Sequence, residues 1–152
     1  MRRDVDESVL AEMYADHLSY WQFLVETIPE YGLVFSGQKD AASFRSGRYN
    51  HLLFRPIGQR AFASAVHVLV ARGTAWRSAV RQLASVNLRL EKREWWHLLW
   101  DPVRKRMLTD ASNRNLAETF LLYQLGERAR TSKKEGQLQQ FLKERERKGL
   151  LA

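Results

Sequence analysis

Residues 56–87 read PIGQRAFASAVHVLVARGTAWRSAVRQLASVN, and this stretch decides the fold. A proline in the first turn of a helix loses nothing, because its missing N–H would have had no acceptor there. After Pro56, the residues Ile57, Ala61, Phe62, Ala65, Val66, Leu69 and Val70 recur at three- and four-residue steps, the spacing that lines one helical face. Gly73 stops this helix. Thr74 is placed to cap the next one, whose Trp76, Val80, Leu83 and Val86 form a second apolar stripe.

Helical patterning continues on both sides. Residues 5–28 predict a long amphipathic helix with Val9, Met13, Leu18, Trp21, Leu24, Val25 and Ile28 on one face, Asp6 as cap and Pro29 as stop. Residues 91–100 hold Trp95, Trp96 and Trp100. On a helix Trp96 and Trp100 would share a face while Trp95 points about 100° away, making Trp95 the most exposed of the three. Such a cluster suits base stacking, but the large area of tryptophan makes a core role the stronger reading. Thr109 or Asp110 can cap a further helix through Leu125, with Leu116, Phe120 and Leu121 inward and Gly126 as stop.

Residues 32–55 are the least regular part, punctuated by Gly32, Gly37 and Gly47, and strand patterning there is weak. The expected fold is an all-α, compact bundle of five or six helices with an irregular basic loop region around residues 32–55 and no convincing hairpin. Residues 1–126 would form one helical domain, with residues 1–29 an acidic helix packed on it. Residues 127–152 would be a basic helix or a partly disordered tail.

The chain has 152 residues, 45% of them hydrophobic, five Trp and no Cys. Disulfides, thiolate metal sites and cysteine nucleophiles are excluded, in keeping with a cytoplasmic location. No apolar run reaches the length of a membrane span, so no membrane partner is expected. Glu94 and His97 have the spacing of half a carboxylate-bridged di-iron site, but no second half exists. Neither a Gly-x-Ser-x-Gly elbow nor a P-loop is present. The expectation is therefore a protein without catalytic residues, metal or cofactor.

Charge is distributed unevenly. Residues 1–30 carry two basic and seven acidic side chains, a formal −5; of the chain's 25 Lys+Arg and 17 Asp+Glu, residues 31–152 keep 23 and 10, a formal +13. A surface so positive attracts polyanions, nucleic acid first among them. Lys39, Arg45, Arg48, Arg55 and Arg60, around the irregular segment, are the first candidates for phosphate contact. Arg77 and Arg81, one turn apart, are the second. Other basic groups are Arg72 with Arg89, Lys92 and Arg93, and Arg104, Lys105 and Arg106 running toward Arg114. Residues 56–87 have the outline of a helix-turn-helix, although an ordinary helical hairpin is the stronger reading.

The run Leu52-Leu53-Phe54-Arg55-Pro56-Ile57-Gly58-Gln59-Arg60-Ala61, followed by Trp95-Trp96-x-Leu-Leu-Trp-Asp-Pro and Asn115-Leu116-Ala117-x-Thr-Phe-Leu-Leu-Tyr-x-Leu-Gly, resembles the C-terminal helical part of DndB-like proteins. These belong to the DGQHR-domain group, tied to DNA phosphorothioate modification clusters. The similarity covers about residues 30–126. The Asp-Gly-Gln-His-Arg motif itself is absent, since Gly58-Gln59-Arg60 has neither its Asp nor its His, so that site is not carried over. On this resemblance the chain looks like the C-terminal portion of such a protein, and it implies DNA binding and control of modification genes, without catalysis.

The leading expectation is a DNA-associated regulatory or accessory module of a bacterial DNA-modification or defence system, holding duplex phosphates through its arginines. The alternative is a helical docking or dimerisation module, in which the acidic first helix and the basic body meet a partner protein or a second copy.

Overall fold

The structure, a computed structural model, describes residues 6–46 and 48–149. Arg2, Arg3, Asp4 and Val5 of the acidic opening, Gly47 and the terminal Leu150 and Leu151 lie outside the described residues. The fold is all-α: six α-helices and two very short antiparallel ladders are found among the described residues. No helix among them is long and apolar enough to cross a membrane. The chain divides into two units, Met1–Lys39 and Asp40–Ala152.

The first unit is a helical pair. Helix α1 (Glu7–Thr27) starts on Asp6, whose Oδ1 accepts the Ser8 N–H at 2.9 Å. The ring of Pro29 holds Ile28 extended (φ −99°, ψ 107°), ending α1, and the same proline opens α2 (Pro29–Phe35). Trp21 of α1 meets Tyr31 of α2 with ring centroids 6.0 Å apart.

The second unit is built on α3 (Pro56–Ala71), which packs against both α4 (Trp76–Ala84) and α5 (Ala111–Gln124), while α6 (Ser132–Arg147) lies on α5. The buried face of α3 is Ala61, Phe62, Ala65, Val66 and Leu69, with Val68 added and Val70 exposed. Gly73 closes α3 at φ 97°, and Gly126 follows α5 at φ 76°. Helix α4 starts one residue later than expected. Ala75 occupies its N-cap, and Thr74 instead donates its backbone N–H to Leu69 O at 3.0 Å.

Two features depart from the sequence expectation. Residues 93–100 are not a continuous helix: a 3-10 turn (Arg93–Trp95) is followed by His97 at φ 62°, which breaks the helical path. The periodicity argument for the tryptophans then has no axis to act on, and Trp95 is fully buried, not the exposed member. Its Nε1–H donates to Asn87 O at 2.7 Å and its ring meets Phe120 edge-on at 5.3 Å. Second, hairpins exist. Strands β1 (Arg45–Ser46) and β2 (Tyr49–Asn50) pair, as do β3 (Trp100–Asp101) and β4 (Arg106–Met107). The second turn is held by Asp101, whose Oδ1 accepts the N–H groups of Val103 and Arg104, both at 3.0 Å.

The C-terminal segment takes the helical alternative. Thr131 caps α6, and Leu138 and Leu142 are buried. Arg145 adds an anchor: its guanidinium donates to Glu94 O at 2.8 Å and Arg93 O at 2.6 Å, beneath the Phe141 ring at 5.4 Å. Burial pulls this guanidinium below its ordinary pKa. Arg145→Ala would leave two carbonyls unpaired and remove the packed stem, a loss of about 2–4 kcal/mol. Arg145→Lys, which lacks the fork, is expected to restore less than half of that in a denaturant melt.

Candidate anion-binding cleft

Positions 50–52 hold the site's frame. Leu52 N–H donates to Leu88 O at 2.8 Å and Leu90 N–H to Asn50 O at 2.7 Å, so His51 and Arg89 bridge side by side. Phe44 and Phe54, 4.9 Å apart, and the buried His51 ring pack under the β1–β2 hairpin. Arg89 stacks over Tyr49 at 4.0 Å, donates to Arg48 O at 3.0 Å and pairs with Glu91. The hairpin is thus braced from within, and its Arg45 and Arg48 side chains are exposed.

Arg55 immediately precedes α3. Its Nη2 donates to Arg45 O and, at 3.0 Å, to Asn50 Oδ1, while its buried Nε has no hydrogen-bond partner among the described residues. Burial first, then the neighbouring Arg45 charge, pulls this guanidinium below its ordinary pKa. Two cationic groups therefore stand close together at the start of α3.

Beside them opens a cleft of about 760 Å³ between α3 and α5. Arg55, Arg60, Arg114 and Lys134 line it against one carboxylate, Glu118. The start of α3 edges it through Pro56 and Ile57, and α5 through Arg114 and Asn115, one turn into that helix. Neither helix has a side-chain cap hydrogen bond, but Pro56 has no N–H and the Gly58 and Gln59 N–H groups both go to Arg55 O at 3.0 Å, so the groups that can meet an anion in the cleft are its side-chain cations. Glu118 itself is buried and engaged: Ser64 Oγ donates to it, Lys134 Nζ lies at 3.1 Å and Arg130 Nη2 at 3.2 Å.

Glu118 both staples α6 to α5 and dilutes the positive field of the cleft. Glu118→Gln is expected to act in opposite directions on two measurements. Thermal stability falls by about 1–2 kcal/mol, because two partly exposed cations lose their counter-charge. Affinity for inorganic phosphate or DNA rises several-fold.

The seven residues singled out from the sequence separate into groups. Arg55 and Arg60 line the cleft, and Arg45 stands beside Arg55. Arg48 lies in the hairpin turn, just before β2. Lys39 belongs to the first unit, at the turn after α2. Arg77 and Arg81 lie exposed on α4, away from the cleft lining, with Arg77 over its neighbour Trp76 at 4.6 Å. On the same helix Gln82 Nε2 donates to Ser78 Oγ at 3.3 Å and Ser85 Oγ to Gln82 O at 2.6 Å.

Several other cations turn out to be internal clamps. Arg72 holds Arg128 O and Ala129 O, both at 2.9 Å, and Arg93 holds Gly149 O at 2.7 Å. By contrast Arg45, Arg48, Arg60 and Arg114 make no ion pair among the described residues. Lys134, Arg130 and Glu118 are site members that sequence reading missed. The i, i+4 pair Arg114 and Glu118 was the available signal, since it puts both on one face of α5.

No protein-family model, curated protein or solved structure matches this chain.

Proposed function

We propose that this protein binds the phosphate backbone of nucleic acid, with duplex DNA as its ligand, and that it does so without chemistry of its own. One observation carries the reading: Arg55, Arg60 and Arg114 converge on a cleft between α3 and α5 whose single carboxylate, Glu118, is already neutralised by Lys134 and Arg130. Arginine guanidinium groups take phosphate oxygens, positioning a duplex without reading its sequence. Arg45 and Arg48, on the braced hairpin, extend the cationic surface from the mouth of the cleft. Arg77 and Arg81 are secondary contacts in this reading, and Lys39, in the first unit, is not part of this surface.

The resemblance to DndB-like proteins supplies a setting: a cytoplasmic accessory or regulatory module of a bacterial DNA-modification or defence system. Binding of labelled duplex DNA, single-stranded DNA and heparin across a salt series tests the proposal. With four or five phosphates neutralised, log Kobs against log salt for the duplex should fall with a slope of about −4. A flat salt dependence overturns the reading. So does a preference for heparin over both DNA forms, which would reduce the surface to undirected charge.

A further inference from the structure

We propose that the cleft between α3 and α5 takes one whole nucleotide unit, phosphate and base together, and not a phosphate group alone. This deepens the phosphate-binding role of Arg60 and Arg114 and rests on it. Each of the two arginines stands one helical turn before the point where Ser64 of α3 donates to Glu118 of α5, and both line the same compartment. Pro56, Ile57, Ala61 and Met107 line that compartment as well. Pro56 is exposed, and Ile57 and Met107 are half-buried. A phosphate oxygen gains nothing from such apolar surface, so binding the sugar-phosphate backbone leaves half of the lining without a use.

Size and chemistry together select the occupant. A volume of about 760 Å³ suits a small organic ligand, and the body of a duplex is too broad to enter it. One nucleotide, drawn out of a strand or free in solution, satisfies both kinds of lining. Its phosphate meets Arg60 and Arg114. Its base lies against Ile57 and Met107, whose apolar surface and polarizable sulfur suit a ring face. Asn115, exposed beside Arg114, and the exposed Thr109 supply the polar atoms that a base edge requires. An amide offers a donor and an acceptor side by side, the arrangement that matches an edge of adenine.

The test is calorimetric titration of the full chain with dAMP, deoxyribose 5-phosphate and inorganic phosphate, beside a fully paired duplex and one carrying a single unpaired adenosine. The nucleotide dAMP should bind at least about tenfold more tightly than deoxyribose 5-phosphate, the base supplying the difference. Asn115→Ala should remove most of that gain, and replacing Arg60 and Arg114 together by alanine should abolish dAMP binding. Neither change should lower the melting temperature. Tighter binding of the unpaired-adenosine duplex, with dAMP as its competitor, assigns the unit to a strand. Equal binding of the two duplexes, with dAMP still bound, assigns it to free nucleotide. If inorganic phosphate and the paired duplex bind but dAMP gains nothing over deoxyribose 5-phosphate, or if the gain survives Asn115→Ala, the nucleotide site is overturned and the phosphate reading stands. If neither phosphate nor either duplex binds, the phosphate reading falls and takes this proposal with it.

Discussion

Replacing Gly58 by alanine is expected to cost the protein about 3 kcal/mol and lower its melting temperature by about 10 °C. A Cβ at this position would stand 2.0 Å from Leu52 O and 2.6 Å from Leu52 Cγ. The obstructing atom is backbone, so no rotamer change relieves it. The 3-10 turn Leu52–Phe54 would have to lift off the start of α3, and that turn buries Leu52, Leu53 and Phe54. Arg55 and Arg60 flank the glycine, so phosphate affinity should fall together with stability. Gly136→Ala is the control, because nothing lies within 4 Å of its Cβ on the exposed face of α6. There the substitution should stabilise by up to about 1 kcal/mol, since alanine is the better helix former. A melt in which both variants match the parent within about 2 °C would refute the close approach.

Removing Arg60 and Arg114 together gives the second large expected effect, on binding and not on stability. Both side chains are exposed, line the cleft and make no ion pair among the described residues. Each lost charge-assisted contact is worth about 1.5 kcal/mol or more. The double alanine variant should therefore bind duplex DNA about 100-fold more weakly, with a salt slope shallower by about two. Its melting temperature should be unchanged. Arg72→Ala should behave in the reverse manner, because Arg72 ties α3 to residues 127–129 and lies outside the cleft. If the Arg60 and Arg114 variant retained parental affinity, the cleft would be excluded as the phosphate site.

The helices were legible where local chemistry fixes both ends. Proline at the start and a left-handed glycine at the end delimit α3, and Asp6 with Pro29 delimits α1. The region from Trp95 to Trp100 was not legible, because its path depends on one residue, His97, taking positive φ, and on the Trp95 and Trp96 indole N–H groups turning back to carbonyls in the loop before them, Asn87 O and Glu91 O. For residues 127–152 the sequence left a helix and a partly disordered tail open, because the deciding contact is not local. A segment with few apolar residues is ordered through Arg145, whose partners are backbone oxygens about fifty positions away in sequence. For the cleft, the abundance of cations and the importance of Arg55 and Arg60 could be read from the chain. Which arginines face outward could not: Arg72, Arg89, Arg93 and Arg145 look the same in sequence as Arg60 and Arg114, and only tertiary structure separates clamps from free charges.

The His51 and Arg89 bridge has a kinetic corollary. It joins two points separated by the whole of α3 and α4, and closing a flexible loop of that length opposes the contact by about 3 kcal/mol of chain entropy. Zipping the two helices together first shortens the effective loop, so the clasp should snap shut late, after the helical pair has condensed. The arginine-bearing tongue would then be the last piece of the second unit to set during refolding, and the first to loosen on heating.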